Sequence, residues 1–174
     1  MGEEAMEFCE GQLEIKQAAQ EQLGQMMELY AKARKFMADH GNPTQWPPSY
    51  PSEELILHDI QKGHMFVCMA EQRIVGVFYY CTEEEPDYRE IRDGAWLNEE
   101  AYGVLHRITS DGTVRGTGSF CLQWAWNQCR NLKIDTHRDN IMMQNLLKKN
   151  GFQYCGIIHA RDGGERLAYQ KAEN

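Results

Sequence analysis

Two glycines one residue apart, set where a strand-like run gives way to a helix-like one, constrain this chain more than any other feature. Val114, Arg115, Gly116, Thr117, Gly118 and Ser119 follow a strand-like run over 102–109 and the turn pair Asp111 and Gly112. They open a helical stretch that reaches about Asn131. Glycine lets a backbone approach a ligand with no Cβ in the way. The first N–H groups of a helix have no partner within it. Those donors and the positive end of the helix dipole favour an anion. Arg115 adds a planar fork that suits phosphate. A diphosphate is the natural guest, and a turn that merely caps the helix is the plain alternative. A Walker loop is excluded, because no lysine lies between Gly112 and Phe120. A dinucleotide fingerprint would need its third glycine where Cys121 stands.

The rest of the chain can be ordered around that loop. Residues 1–12 are acidic and patternless, and read as a loose extension. A first strand covers 13–18, and a helix covers about 20–40, where Leu23, Met26, Met27, Tyr30, Ala33 and Met37 fall on one face. Gly41 and Pro43 end it. Ser52 caps a second helix with Glu53 and Glu54 in its first turn. A hairpin over 65–70 and 74–81 precedes an acidic loop at 82–92, read chiefly as solvated surface. After the glycine loop and its helix come a strand at 132–136 and a helix capped by Asp139 or Asn140 and closed by Gly151. Strands over 152–158 and 166–170 finish the chain. The order β-α-α-β-β-β-α-β-α-β-β implies an α/β layered domain with a mixed sheet, spanning 13–171 as one unit.

The ordered set from Leu105 to Ile158, about a third of the chain, resembles the core of the GNAT N-acetyltransferases. The matching elements are the strand Leu105-His106-Arg107-Ile108-Thr109, the loop Arg115-Gly116-Thr117-Gly118-Ser119-Phe120, the strand Ile134-Asp135-Thr136, Asn140, and Gly151-Phe152. The resemblance implies a mixed central sheet of about six to seven strands flanked by about four helices. It implies acetyl-CoA as cosubstrate, with its pyrophosphate on Gly116, Thr117, Gly118 and Ser119 beside Arg115. The pantetheine arm would run along Ile108 and Thr109, and Asn140 would lie near the thioester. Lys148 and Lys149 are either phosphate contacts or plain surface lysines. Three positions depart from the pattern. Phe120 stands where the motif has a small residue, and the link from Ile108 to Arg115 is two residues long beyond expectation. Leu147 occupies the place where many members carry a tyrosine as general acid.

Amine acylation needs a base that titrates near working pH. His106 fits, being a histidine on the strand beside the expected acetyl site. The strict alternation of a strand puts it on one face with Tyr102, Val104 and Ile108. A core histidine satisfied by a hydrogen bond is its competing reading. Tyr154 is the substitute candidate for the acid, against a packing role. Trp46, Tyr50, Tyr88 and Trp96 lie in loops of the kind that form acceptor sites, with Glu83, Glu84 and Glu85 able to receive an amine. His137 with Asp135 and Asp139 looks metal-like, but only Asp135 and His137 can share a strand face and no third ligand is indicated, so no metal is expected. Trp124 and Trp126 spread the apolar surface of their helix around its circumference, which calls for a packed neighbour or a homodimer contact.

Composition then excludes classes. The net charge of −8 argues against nucleic acid. No apolar run has the length of a membrane span. Six cysteines without a Cys-x-x-Cys spacing, and no secretory start, imply reduced thiols and a cytoplasmic protein. Three functions stay open: acetylation of a small amine or amino-acid-like acceptor, acetylation of a protein amino terminus or lysine, and a catalytically degenerate CoA-binding module.

Overall fold

A computed structural model describes residues 12–161 and 163–173 of the 174-residue chain. The loose extension expected at 1–12 therefore lies, apart from Gln12, outside the described residues. The strands are β1 (Leu13–Gln17), β2 (Met65–Ala70), β3 (Arg73–Cys81), β4 (Gly103–Ser110), β5 (Asn131–Thr136), β6 (Gln153–His159) and β7 (Glu165–Ala172). The helices are α1 (Leu23–Asp39), α2 (Glu53–Gln61), α3 (Thr117–Cys129) and α4 (Ile141–Lys149). No helix among the described residues is long and apolar enough to cross a membrane.

Local chemistry accounts for the helix ends. Ser52 accepts a hydrogen bond from the Leu55 N–H at 3.1 Å, capping α2. Asn140 does the same for Met143 at 3.1 Å, capping α4. Gly151, at φ +87°, lets the Phe152 N–H turn back to the Leu147 carbonyl at 3.0 Å, which closes α4.

The seven strands form one sheet in the order β1-β2-β3-β4-β5-β7-β6. Neighbours are antiparallel except β4 and β5, which are parallel and pair at two positions, Gly103 with Leu132 and Val104 with Lys133. Beyond those pairs the two strands part. Helices α1 and α2 cover one face of the sheet, packing Met26, Tyr30 and Ile56 on Met65, Val67 and Val77. Helix α3 covers the other face, with Cys121, Leu122, Ala125 and Trp126 set against both halves of the sheet. Trp124 meets Phe66 on β2 with ring centroids 4.7 Å apart. Trp126 meets the Lys171 ammonium of β7 at 4.4 Å from the ring centroid. The neighbour that α3's encircling apolar surface calls for is thus the sheet on both sides of the gap. Five cysteines among the described residues are free thiols.

One expectation of strict alternation fails in β4. Tyr79 pairs with His106 and Val77 with Thr109, so Phe78 stands opposite both Arg107 and Ile108. Arg107 takes φ +50°, the conformation of an inserted bulge residue. Beyond it the parity of the strand reverses. Ile108 therefore joins Leu105 in the core beneath α3, and does not share the face of Tyr102, Val104 and His106.

Candidate active site

The parting of β4 and β5 opens a cavity of about 470 Å³. His106, Arg107 and Ile108 line it from β4, and Ile134, Asp135 and Thr136 from β5. Trp46, Pro47 and Tyr50 wall it on one side, and Ala160 and Arg161 from the β6–β7 turn on another.

The bulge residue Arg107 is held from three directions. It pairs with the Asp59 carboxylate of α2. Its Nη1 donates to the Tyr50 hydroxyl at 3.3 Å, and its carbonyl accepts from the Tyr30 hydroxyl at 3.0 Å. The guanidinium lies 5.2 Å from the centroid of the Tyr79 ring. Breaking one side of such a buried ion pair costs about 3–5 kcal/mol. This network fixes the bulge and thereby the direction of its neighbour His106.

His106 Nε2 lies 3.0 Å from Glu85 Oε2. Glu85 is itself placed by its own backbone, since its N–H donates to the Tyr102 hydroxyl at 2.8 Å. Burial pushes the Glu85 carboxyl up. The hydrogen bond and charge of His106, the Asp87 N–H and Arg161 outweigh that push, so it sits below the ordinary carboxylate value. Asp87 moves the other way, raised by burial and by the charge of Glu85. Arg161 approaches the two acids at 3.5 and 3.6 Å from an exposed position. Asp135 accepts from the Tyr88 hydroxyl at 2.7 Å. Burial first, then the charge of Asp135, raises that hydroxyl well above its ordinary value and keeps it a donor.

The acidic loop thus divides by residue. Glu83 and Glu84 are exposed, as a solvated surface requires, whereas Glu85 and Asp87 turn into the cavity. Of the loop aromatics, Trp46 and Tyr50 line the cavity. Tyr88 is buried behind it, and Trp96 packs on Tyr88 at 5.2 Å.

The start of α3 is a second part of the candidate site. Gly116 caps the helix at φ +84°, a conformation that penalises any residue with a Cβ. Thr117 Oγ1 donates to the Val114 carbonyl at 2.8 Å, and the Phe120 N–H closes the first helical turn on Gly116 at 2.9 Å. The N–H groups of Thr117, Gly118 and Ser119 precede that first bond and have no partner inside the helix. A Cβ on Gly118 would come 2.8 Å from Leu146 Cδ2, so this glycine lets α4 pack close to α3. Asn150 Nδ2 bonds Ser119 Oγ at 3.0 Å, and Lys148 and Lys149 occupy the same last turn of α4. Arg115 is exposed in the loop before α3.

Of the candidates named from sequence, His106, Ile108 and Asn140 meet at the cavity. Arg115, Gly116, Thr117, Gly118 and Ser119 gather at the start of α3, and Thr109 lies on β4 beyond Ile108. Tyr154 does not join them. It stands half exposed on the edge strand β6, 5.8 Å from Tyr169, and is not part of the cavity wall. Leu147 is fully buried in the core. His137 Nδ1 lies 3.6 Å from Asp139, while Asp135 is turned to Tyr88.

Sequence reasoning passed over Glu85 as an individual residue, Asp87, the Arg107–Asp59 pair and Thr136. Thr136 is 1 % exposed, lines the cavity and has no partner for its hydroxyl. A buried hydroxyl without a partner costs free energy, so it marks a place where a ligand group can repay it. No sequence pattern announces it.

No family model matches the sequence, and no curated protein matches it. Solved structures do match. An acetyltransferase of the GNAT family from Streptococcus agalactiae 2603 is 30 % identical, with 93 % of this chain and 96 % of that chain covered at a TM-score of 0.86. A candidate acetyltransferase from Staphylococcus aureus Mu50 is 22 % identical, covering 91 % and 97 % at 0.67. A GNAT-family acetyltransferase from Listeria monocytogenes 4b F2365 is 18 % identical, covering 91 % and 94 % at 0.67.

Proposed function

Because this chain belongs to the GNAT family of acetyltransferases, we propose that it moves an acetyl group from acetyl-CoA to the primary amine of a small or amino-acid-like acceptor. The observation that carries this reading is the His106–Glu85 pair on the wall of the β4–β5 opening. The residues also suit the cosubstrate: free N–H donors at the start of α3 for a pyrophosphate, and a cleft between parted strands for an extended arm.

Glu85, ionised, can only accept a hydrogen bond, so Nε2 of neutral His106 carries the hydrogen. Nδ1 is then the basic nitrogen, and it takes a proton from the incoming ammonium. The freed nitrogen pair bonds to the acetyl carbon, and the carbon–sulfur pair leaves with sulfur. Of the two protons still on nitrogen, one passes to the thiolate and the other stays on the amide, and His106 returns its proton to solvent. With Leu147 in place of a tyrosine, we assign the Thr136 hydroxyl as the hydrogen-bond donor to the departing sulfur. Asp87 and Asp135 place negative charge near the acceptor amine, and favour a cation there.

The walls formed by Trp46, Pro47, Tyr50, Ala160 and Arg161 favour a small acceptor over a protein tail. Calorimetry with acetyl-CoA tests the first half of the reading: a folded chain that does not bind it ends the proposal. CoA release across a panel of amines tests the second half. Binding without acceptor-dependent release would establish the degenerate CoA-binding module instead, and release with peptide amines alone would establish the protein acetyltransferase.

A further inference from the structure

Three side chains with metal-ligand chemistry converge outside the cavity. His64 precedes β2, Cys81 closes β3 and Glu83 opens the acidic loop, and one donor atom from each lies within 4.8 Å of the others. The backbone sets this meeting, because the Tyr80 N–H bonds the His64 carbonyl at 2.8 Å across the hairpin. His64 Nε2 lies 3.8 Å from Glu83 Oε1, and its Nδ1 is buried with no hydrogen-bond partner. Cys81 is a buried free thiol whose sulfur is 3.2 Å from the Tyr79 hydroxyl. The positive charge nearest to Glu83 is the Lys62 ammonium, at 3.7 Å from Oε2.

We propose that His64, Cys81 and Glu83 bind a divalent cation of the Zn²⁺ class. Imidazole nitrogen, thiolate sulfur and carboxylate oxygen are the zinc ligand types, and water completes a tetrahedron. Donor atoms stand about 2.0–2.3 Å from zinc, so the three must draw together. Exposed Glu83 is free to swing and Lys62 to withdraw. Three bonds form, to nitrogen, sulfur and oxygen, and the Cys81 thiol proton passes to solvent. No electron is transferred. Binding therefore releases one proton and tightens as pH rises. The site reaches the cavity through Tyr79, whose hydroxyl touches Cys81 and whose ring lies 5.3 Å from that of His106. Metal on the sulfur removes the present partner of that hydroxyl, and slows acetyl transfer.

The test is calorimetric titration of Zn²⁺ into the full chelator-treated chain, with Co²⁺ as a spectroscopic substitute. One equivalent should bind with proton release, and Co²⁺ should give the intense visible bands of a tetrahedral ion with sulfur-to-metal charge transfer. Cys81→Ser or His64→Ala should weaken binding at least ~10-fold. Exposed Glu83→Gln, which cannot unfold the protein by losing core contacts, should weaken it also, and Lys62→Met should strengthen it. Absence of one-equivalent binding would overturn the proposal. So would unchanged affinity in the ligand variants, or a pale cobalt spectrum without charge transfer. Zn²⁺ should slow the native chain and spare Cys81→Ser. Equal inhibition of both would place the metal at His106 and Glu85, and overturn the assignment.

Discussion

The two parts of the candidate site are built by different means. The start of α3 is a local device. Gly116, Thr117, Gly118 and Ser119 are consecutive, and a short stretch of chain sets both the turn and the free donors. The cavity wall is assembled from afar. His106 on β4 meets Glu85 from the acidic loop, Arg161 from the β6–β7 turn and Tyr50 from the loop before α2. The local wall presents backbone and suits a constant guest. The assembled wall presents side chains from four separate segments, and suits the proposed acceptor and its chemistry. This contrast teaches that the proposed grip and the proposed reaction centre are built separately, although α3 and β4 touch.

Substitutions should respect that separation. His106→Ala should lower kcat/KM by about 100-fold or more, with acetyl-CoA affinity unchanged by calorimetry. A similar loss of acetyl-CoA affinity would merge the two walls into one. Glu85→Gln removes a charged hydrogen bond of about 1.5–3 kcal/mol, so kcat should fall about 10- to 100-fold. The same variant carries a stability signature. The Glu85 carboxyl is held below its ordinary value in the fold, so it contributes stability above that ordinary value, about pH 4.3, and loses it as pH falls through the folded value. The melting temperature of Glu85→Gln should therefore fall less steeply on acidification than that of the native chain. Gly116→Val places a Cβ at φ +84° and costs about 1–2 kcal/mol of strain. It should raise KM for acetyl-CoA about tenfold while leaving the acceptor KM alone. A change confined to the acceptor KM would contradict the local wall. Tyr154→Phe should leave kcat, both KM values and the pH profile unmoved, since that ring lies outside the cavity wall.

The division between local and assembled structure also explains what was legible. Element order could be read because each helix and strand carries its own pattern, such as the face of Met26 and Tyr30 or the cap at Ser52. The glycine loop could be read for the same reason. His106 could be named from its strand, but its partner could not. Glu85 sits in a run of three acids, and nothing local distinguishes it from exposed Glu83 and Glu84. The reversal at Ile108 was hidden because Arg107 takes its bulge conformation under contacts with Asp59, Tyr30 and Tyr50, all distant in sequence. Thr136 was hidden because an unsatisfied hydroxyl is a property of surroundings, not of residue type.

Helix α3 does two jobs that are ordinarily assigned to different parts. Its tryptophans reach across the line where the sheet divides, Trp124 to β2 and Trp126 to β7, so the helix acts as a tie-beam over a seam held by two residue pairs. The end of that beam is also the proposed anion grip. An anion held on Gly116–Ser119 would therefore rest on the same member that ties the two halves of the sheet, so the proposed grip and the bracing of the seam share one rigid part.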